Sequence, residues 1–383
     1  MGDGKEEFIK PAVASVNAEW VGSRADASDE EETPCIAEEV KYESMMKEKT
    51  RTSKCTILYL HGGGYYMCGL GTHHATAGKL AKACGGRVLL IEYRLAPQTA
   101  FPGQLIDVLS AYLYLLYPPK GSLHDAVSPN DIVFAGDSSG GNLVASLMQL
   151  LLHMQRNKPT GAKNPTVIYH GNTVEVPLPA GMATLSGWFD ITKSMPSVTT
   201  NQKWDYLVSP NYDNAVSRLP KDVIWPTNPL RGDIFCNLSL LCHPLVSPLA
   251  AKDLSGAPPM FFMTGEELLT DGNKILAVRA GDQGVTVVRE QYEAMPHVFA
   301  MIFPDLKTRI RCFSSMGCFA QNCVEGNVKD SATWIAIISG KESAVEMGNL
   351  THLTWEYALA SMKNAQLRRM KNPEAKNRTT EKA

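Results

Sequence analysis

Short apolar runs alternate with helical stripes from residue 55 onward, and glycine or proline marks most of the junctions. The run CTILYL (residues 55–60) is apolar and β-rich throughout, the pattern of a strand buried on both faces. GTHHATAGKLAKACGG follows as a helix closing on glycines, with Thr72 placed as its N-cap. RVLLIEYR predicts a second buried strand, and GQLIDVLSAYLYLLY a second helix stopped by Pro118 and Pro119. DIVFAG predicts a third strand, feeding a helix that starts near Ser138. AGMATLSGW and PPMFFMTG predict two more sheet strands, and VTVVREQYE another after the helix GNKILAVRAGDQG. Strand and helix alternating at this spacing imply right-handed parallel crossovers, hence an α/β fold with a mostly parallel central sheet flanked by helices.

The alternation fails in three places. The first fifty residues are acidic and weakly patterned, with RADASDEEETP as a surface loop between short helical pieces. Between Asp190 and Leu249 the chain is rich in proline and asparagine, and a stretch this long inside a compact domain lies over the functional face. After Pro304 the pattern is mostly helical. Its tail sets Lys363, Arg368, Arg369, Lys371, Lys376, Arg378 and Lys382 against Glu374 and Glu381, which reads as a solvated helix end with a frayed tail. The expected division is an N-terminal cap segment (1–52), the first part of the core (53–189), a cap insertion (190–250), and the second part of the core with a helical tail (251–383).

The third predicted strand runs into Gly136-Asp137-Ser138-Ser139-Gly140. In the pattern G-x-S-x-G a serine sits on a tight turn between strand and helix, and small neighbours let the two backbones nearly touch. The turn lifts the hydroxyl above the sheet and aims the helix N-terminus at whatever bonds to it. A plain Gly/Ser-rich turn looks similar, and Ser139 is a rival nucleophile, but the glycine spacing centres on Ser138. His61-Gly62-Gly63-Gly64 follows the first buried strand directly. Three successive glycines leave amides free to face a cavity, and a nascent oxyanion needs such donors. Neither the Lys-Ser/Thr ending of a phosphate loop nor a G-x-G-x-x-G fingerprint is present, so the anion expected here is a tetrahedral acyl-transfer intermediate.

HGGGYY, EYRLAP (92–97), FPGQLIDV (101–108) and GDSSGGN (136–142) stand in the order and spacing of the hormone-sensitive-lipase-like α/β hydrolases, carboxylesterases and lipases, which the chain resembles over residues 55–304. The N-terminal and inserted regions look most like fungal members, which act on acetylated sterols or secondary metabolites. The family pattern of tyrosine, a short gap and His-x-Phe is matched by Tyr292, His297 and Phe299, which makes His297 the expected general base. The triad acid must fall between Ser138 and His297 in chain order. Aligning Leu269 and Asp271 of TGEELLTDGNK with the family segment puts Glu267 in its place, with glutamate for the commoner aspartate and Leu268 for proline. Glu266 and Asp271 remain rivals; Asp271 is expected to cap or support the next helix, and Glu266 to turn away.

The resemblance thus implies a Ser138–Glu267–His297 triad, with amides of Gly62, Gly63 and Ser139 as the oxyanion hole. It also implies a supporting Arg94–Asp107 pair, and departs from the family at Gln98, where glutamate is common. Tyr65, Tyr66 and Met67, just after the glycines, are candidates for lining the acyl or alcohol pocket, with packing as the alternative for the two tyrosines. The implied activity is hydrolysis of an ester of a small to medium apolar molecule, with no metal or organic cofactor. Two other readings stay open: a natural-product dehydratase or cyclase on the same scaffold, and a binding receptor that has given up catalysis.

Composition narrows the partners and the compartment. The 383 residues are 44% hydrophobic and 20% charged with a net charge of −2, which gives nucleic acid no attraction and suits a soluble globular protein with a small-molecule substrate. The nine cysteines form no CxxC pair, so neither zinc nor a thioredoxin-like motif is suggested; they are expected as free thiols of a reducing compartment, with Cys312, Cys318 and Cys323 in core packing. No secretory signal is evident, Glu6 stands where a myristoylation signal wants Ser or Thr, and the apolar run at 143–152 is too short to span a bilayer. A cytoplasmic protein without a stable membrane anchor is the expectation, and a homodimer is left open.

Overall fold

The protein is described by a computed structural model covering residues 4, 6–25, 35–207, 223–225, 227 and 231–371. In chain order its strands and helices are β1 (Asn17–Val21), α1 (Glu38–Lys47), β2 (Thr56–Leu60), α2 (Leu70–Cys84), β3 (Arg87–Glu92), α3 (Gly103–Leu116), β4 (Ile132–Asp137) and α4 (Ser138–Arg156). These are followed by the hairpin β5 (Thr166–Tyr169) and β6 (Asn172–Glu175), then β7 (Gly181–Leu185), α5 (Ser197–Thr200), β8 (Met260–Thr264), α6 (Thr270–Asp282) and β9 (Val287–Tyr292). The last described elements are α7 (Phe299–Ile302), α8 (Lys307–Glu325), β10 (Ser331–Ile335), β11 (Glu342–Ala344) and α9 (Trp355–Lys371).

Nine strands form one sheet in the order β1-β3-β2-β4-β7-β8-β9-β10-β11. Strands β3 to β10 of that order run parallel, and β1 and β11 close the two edges antiparallel. Alternate side chains point to opposite faces, and both faces are covered. Ile57, Tyr59, Val88 and Leu90 pack with α2 and α8 on one face; Leu58, Leu60, Leu89 and Ile91 pack with α3 and α4 on the other. All five residues of β2, β7 and β8 are buried, which is why these strands appear in the sequence as unbroken apolar runs.

The departures from expectation lie at the edges. The first fifty residues supply a strand, β1, as well as the helix α1; Asn17 pairs with Glu92 and Val21 with Val88. Most of RADASDEEETP, residues 26–34, lies outside the described residues. Thr72 is not the N-cap of α2. Gly69 holds that position, and the Thr72 hydroxyl reaches back from inside the first turn, accepting from the Gly69 amide at 3.0 Å and donating to the Gly69 carbonyl at 2.8 Å. Past Pro304 the chain is not simply helical, because β10 and β11 extend the sheet beyond β9.

The basic tail is only partly solvated. In α9, Arg369 pairs with Asp233, and Gln366 Nε2 donates to the carbonyls of Leu238 and Ser239 at 2.8 and 3.0 Å, so the helix clasps the insertion. Lys376, Arg378, Lys382, Glu374 and Glu381 lie outside the described residues. Cys312 and Cys323 are buried as expected, whereas Cys318 is exposed on the outer side of α8. No helix among the described residues is long and apolar enough to cross a membrane.

Candidate active site

Four loops meet at the carboxyl ends of neighbouring parallel strands, where open α/β sheets bind their ligands. They follow β2, β4, β8 and β9, and carry the glycine run, Ser138, Glu267 and His297 in turn. At Ser138 the backbone turns with φ +51°, in the left-handed region that a β-carbon disfavours. The Trp188 amide pins this turn by donating to the Ser138 carbonyl at 3.0 Å. Gly140 explains the small residues around it: a β-carbon there would stand 2.0 Å from the Leu60 carbonyl oxygen and 2.5 Å from that of His61. The helix and the strand beside it touch backbone to backbone, so only glycine fits.

His297 Nε2 lies 2.9 Å from Ser138 Oγ, and its Nδ1 makes a short hydrogen bond to Glu267 Oε2. Glu267 is fully buried and His297 nearly so, while Ser138 is half-buried. The carboxylate is itself held: the Gly265 amide donates to Oε1 at 3.3 Å, and Thr270 Oγ1 bridges the Glu267 amide and the Gly265 carbonyl, each at 3.0 Å. Burial alone pushes the His297 imidazole toward its neutral form. The Glu267 carboxylate, by charge and hydrogen bond, outweighs this with help from Asp205 and Asp137, and the imidazole ends above its ordinary value of 6.5.

The rival acids point elsewhere. Glu266 Oε2 accepts from the Ala294 amide at 2.8 Å. Asp271 Oδ2 accepts from the Ser197 amide at 2.8 Å, tying α6 to the insertion as well as supporting its own helix. A hydroxyl bonded to an imidazole that is bonded to a buried carboxylate can pass its proton to the ring and attack an electrophile, with the acid stabilising the imidazolium that forms.

The glycine loop corrects one expectation. The Gly62 amide donates to Asp137 Oδ1 at 3.1 Å and so is already committed. Among the described residues the amides of Gly63 and Gly64 have no such partner, and Ser139 lies in the first turn of α4, where helix amides are unpaired. Asp137 also accepts from the Tyr59 hydroxyl at 2.8 Å, and His73 Nε2 stands 3.2 Å away without hydrogen-bond alignment. Burial opposes the Asp137 charge, but His73 and the Tyr59 hydrogen bond prevail and hold the carboxyl below its usual range. His61 is structural: its ring stacks on Tyr93 at 4.2 Å and Nδ1 donates to the Gly62 carbonyl at 2.7 Å.

Of the three residues that follow the glycines, Tyr65 is fully buried and stacked on Phe235 with ring centroids 3.6 Å apart, so packing is its role. Tyr66 packs half-buried against the same core, and Met67 is 47% exposed. Arg94 and Asp107 form the supporting pair, with Arg94 Nη2 at 2.7 Å and the Arg94 amide also bonded to the carboxylate at 2.9 Å.

Residues 57–301 match the family described as alpha/beta hydrolase fold. The chain belongs to that family. This hydrolase is 29% identical to an acetyl-hydrolase of Streptomyces hygroscopicus over 72% of its own length and 78% of the relative's. It is 30% identical to an esterase of Acinetobacter venetianus over 66% of its length and 70% of the relative's. The crystal structure of an esterase from the bacterial hormone-sensitive lipase family superposes with a TM-score of 0.55 at 30% identity, covering 72% of this chain and 79% of that one. The hydrolase is thus an esterase-type enzyme of the hormone-sensitive-lipase-like group. The likeness to fungal members finds no support in these relatives, which are bacterial.

Several side chains hold the site through contacts that the sequence did not show. Ser186 Oγ accepts from the Val298 amide at 3.1 Å and fixes the turn after His297. Asn142 Nδ2 donates to the carbonyls of Trp188 and Val246 at 2.7 and 2.9 Å, joining α4 to the insertion. Asp205 accepts from the amides of both Leu268 and His297. Asp137 and Asn142 stood inside the GDSSGGN motif, which did not show what they bond.

Proposed function

We propose that this hydrolase cleaves carboxylic esters through an acyl-enzyme on Ser138. The observation that carries the reading is the single imidazole of His297 bridging Ser138 Oγ at 2.9 Å and the buried Glu267. His297 Nε2 takes the hydroxyl proton as Ser138 Oγ bonds to the ester carbonyl carbon. The oxyanion that forms is held by the free amides at Gly63, Gly64 and Ser139. His297 then gives its proton to the departing alkoxide as the carbon–oxygen bond breaks. A water molecule attacks the acyl-enzyme with His297 again as base, and the acid and the free serine are released.

The acyl half is small, in keeping with the acetyl-hydrolase relative, and the alcohol half is an apolar molecule of small to medium size, such as a sterol or a secondary metabolite. Apolar surface around the imidazole supports this: the Tyr206 ring stands 6.2 Å from that of His297 and is 54% exposed. Turnover of p-nitrophenyl esters from C2 to C12 by wild type and Ser138→Ala tests the reading. Loss of the serine should lower kcat by about 10⁴-fold or more; equal rates for the two proteins would overturn it.

A further inference from the structure

The segment expected as a cap insertion is bonded to the loops of the site. Its first segment, residues 197–205, grips the loop that carries Glu267 through five hydrogen bonds. Ser197 Oγ donates to the Leu268 carbonyl at 2.7 Å and accepts from the Asp271 amide at 3.2 Å, and the Ser197 amide donates to Asp271 Oδ2 at 2.8 Å. Asn201 Nδ2 donates to the Glu267 carbonyl at 3.1 Å, and Asp205 Oδ2 accepts from the Leu268 amide at 2.8 Å. The other oxygen of the same carboxylate, Asp205 Oδ1, accepts from the His297 amide at 3.3 Å and from the Leu207 amide at 3.2 Å. One side chain of the insertion thus bonds to the backbone at His297 and to the residue next to Glu267, adding a tie between two loops that the Glu267–His297 and Glu266–Ala294 bonds also join.

We infer that Asp205 is a positioning residue of the proposed hydrolysis: its carboxylate locks the loops of Glu267 and His297 in register, so that seating of the insertion sets the alignment of the imidazole with Ser138. The inference rests on the acyl-enzyme reading. Catalysis needs this alignment, because a displacement of about 1 Å in a reacting group can cost about a hundredfold in rate. The carboxylate also adds negative charge beside the imidazole. The other charged groups around His297 are Glu267 on Nδ1, Asp137 beneath Ser138, and Glu266 on the Ala294 amide of the same loop; the buried Arg289 guanidinium stands behind, bonded to Thr264 and the Phe262 carbonyl. Tyr206 contributes an aromatic edge and no charge.

The test measures kcat, KM and the pH profile of kcat/KM on a p-nitrophenyl ester for wild type, Asp205→Ala, Asp205→Asn and Ser138→Ala, with melting temperature as the folding control. Asp205→Ala should lower kcat about ten- to a hundredfold with KM within about threefold. Asp205→Asn keeps one acceptor oxygen and should lose less. In both, removing the negative charge lowers the imidazole pKa, so the acid limb of kcat/KM moves to lower pH, a shift that a purely structural role would not produce. If Asp205→Ala fails to fold, the limb of Asp205→Asn decides alone. Wild-type kcat and an unmoved limb in the Asp205 variants, with Ser138→Ala inactive, would overturn this inference and leave the acyl-enzyme reading intact. A Ser138→Ala protein as active as wild type would instead remove the reading on which it rests.

Discussion

The amide of Gly62 donates to Asp137 Oδ1 at 3.1 Å, so the residue just before Ser138 holds the start of the glycine loop. A β-carbon at Gly62 would stand 2.2 Å from the other carboxylate oxygen, which shows how tightly the two segments are docked. Asp137→Ala would leave the Gly62 amide and the Tyr59 hydroxyl buried without an acceptor, at a cost of about 1–3 kcal/mol for each. The expected result is a loss of about 3 kcal/mol in denaturant unfolding, together with a lower kcat as the loop amides drift. Unchanged stability would show that the carboxylate carries no such tie.

Glu267 and Glu266 are adjacent in sequence and opposite in use. Glu267→Gln removes the charge that orients His297 and should slow ester turnover about 10³- to 10⁴-fold. Glu266→Gln alters a part-buried bond to the Ala294 amide, away from the imidazole, and should leave kcat within about threefold. Steady-state kinetics on the purified pair decides, and the reverse ranking would move the acid to Glu266.

The raised pKa of His297 fixes the sign of the pH response. The imidazole must be neutral to take the Ser138 proton, and the Glu267 carboxylate favours its charged form. The rate kcat/KM should therefore climb with pH through an acid limb centred above 6.5, the ordinary histidine value, and level off beyond it. A limb at or below 6.5 in the wild-type profile would contradict the geometry.

Gly140 and Gly71 give a stability contrast within one protein. Gly140→Ala drives a methyl group into the carbonyls of Leu60 and His61 and should cost about 3 kcal/mol while disturbing the turn at Ser138. Gly71 lies in α2 with nothing within 4 Å of its would-be β-carbon, so Gly71→Ala should stabilise the fold by about 0.5 kcal/mol. Thermal melts of the two variants read both signs.

The central strands were legible because they are buried on both faces and therefore written in unbroken apolar residues. Strand β1 was not: Asn17, Ala18 and Glu19 lie at a half-exposed edge, where pairing with β3 rather than burial decides the conformation. The hairpin of β5 and β6 turns on His170 and Gly171, both at positive φ, and histidine there does not announce such a turn as Asn-Gly would. Strand β10 alternates only weakly and β11 is three exposed residues long, so a reading by periodicity passes over them. In the site, the serine, the histidine and the glycine run stand in dense local motifs. The contacts of the supports do not: Asp205, Ser186 and Asn142 act on backbone groups 46 to 112 positions away in sequence, and no spacing rule connects them. The commitment of Gly62 to Asp137 was equally hidden, since a glycine run shows that amides are accessible without showing which are taken.

Phe235 of the insertion stacks on Tyr65 and takes the Phe101 amide on its carbonyl at 2.7 Å, while Ser197, Asn201 and Asp205 fasten the same insertion to the opposite wall of the cleft. The insertion therefore stands on both the glycine-loop side and the acid-loop side of the proposed site. Grafting a foreign cap between residues 190 and 250 would take away footings of both walls at once. Redesign of selectivity belongs at positions such as Tyr206, whose ring borders the imidazole yet bears none of those footings.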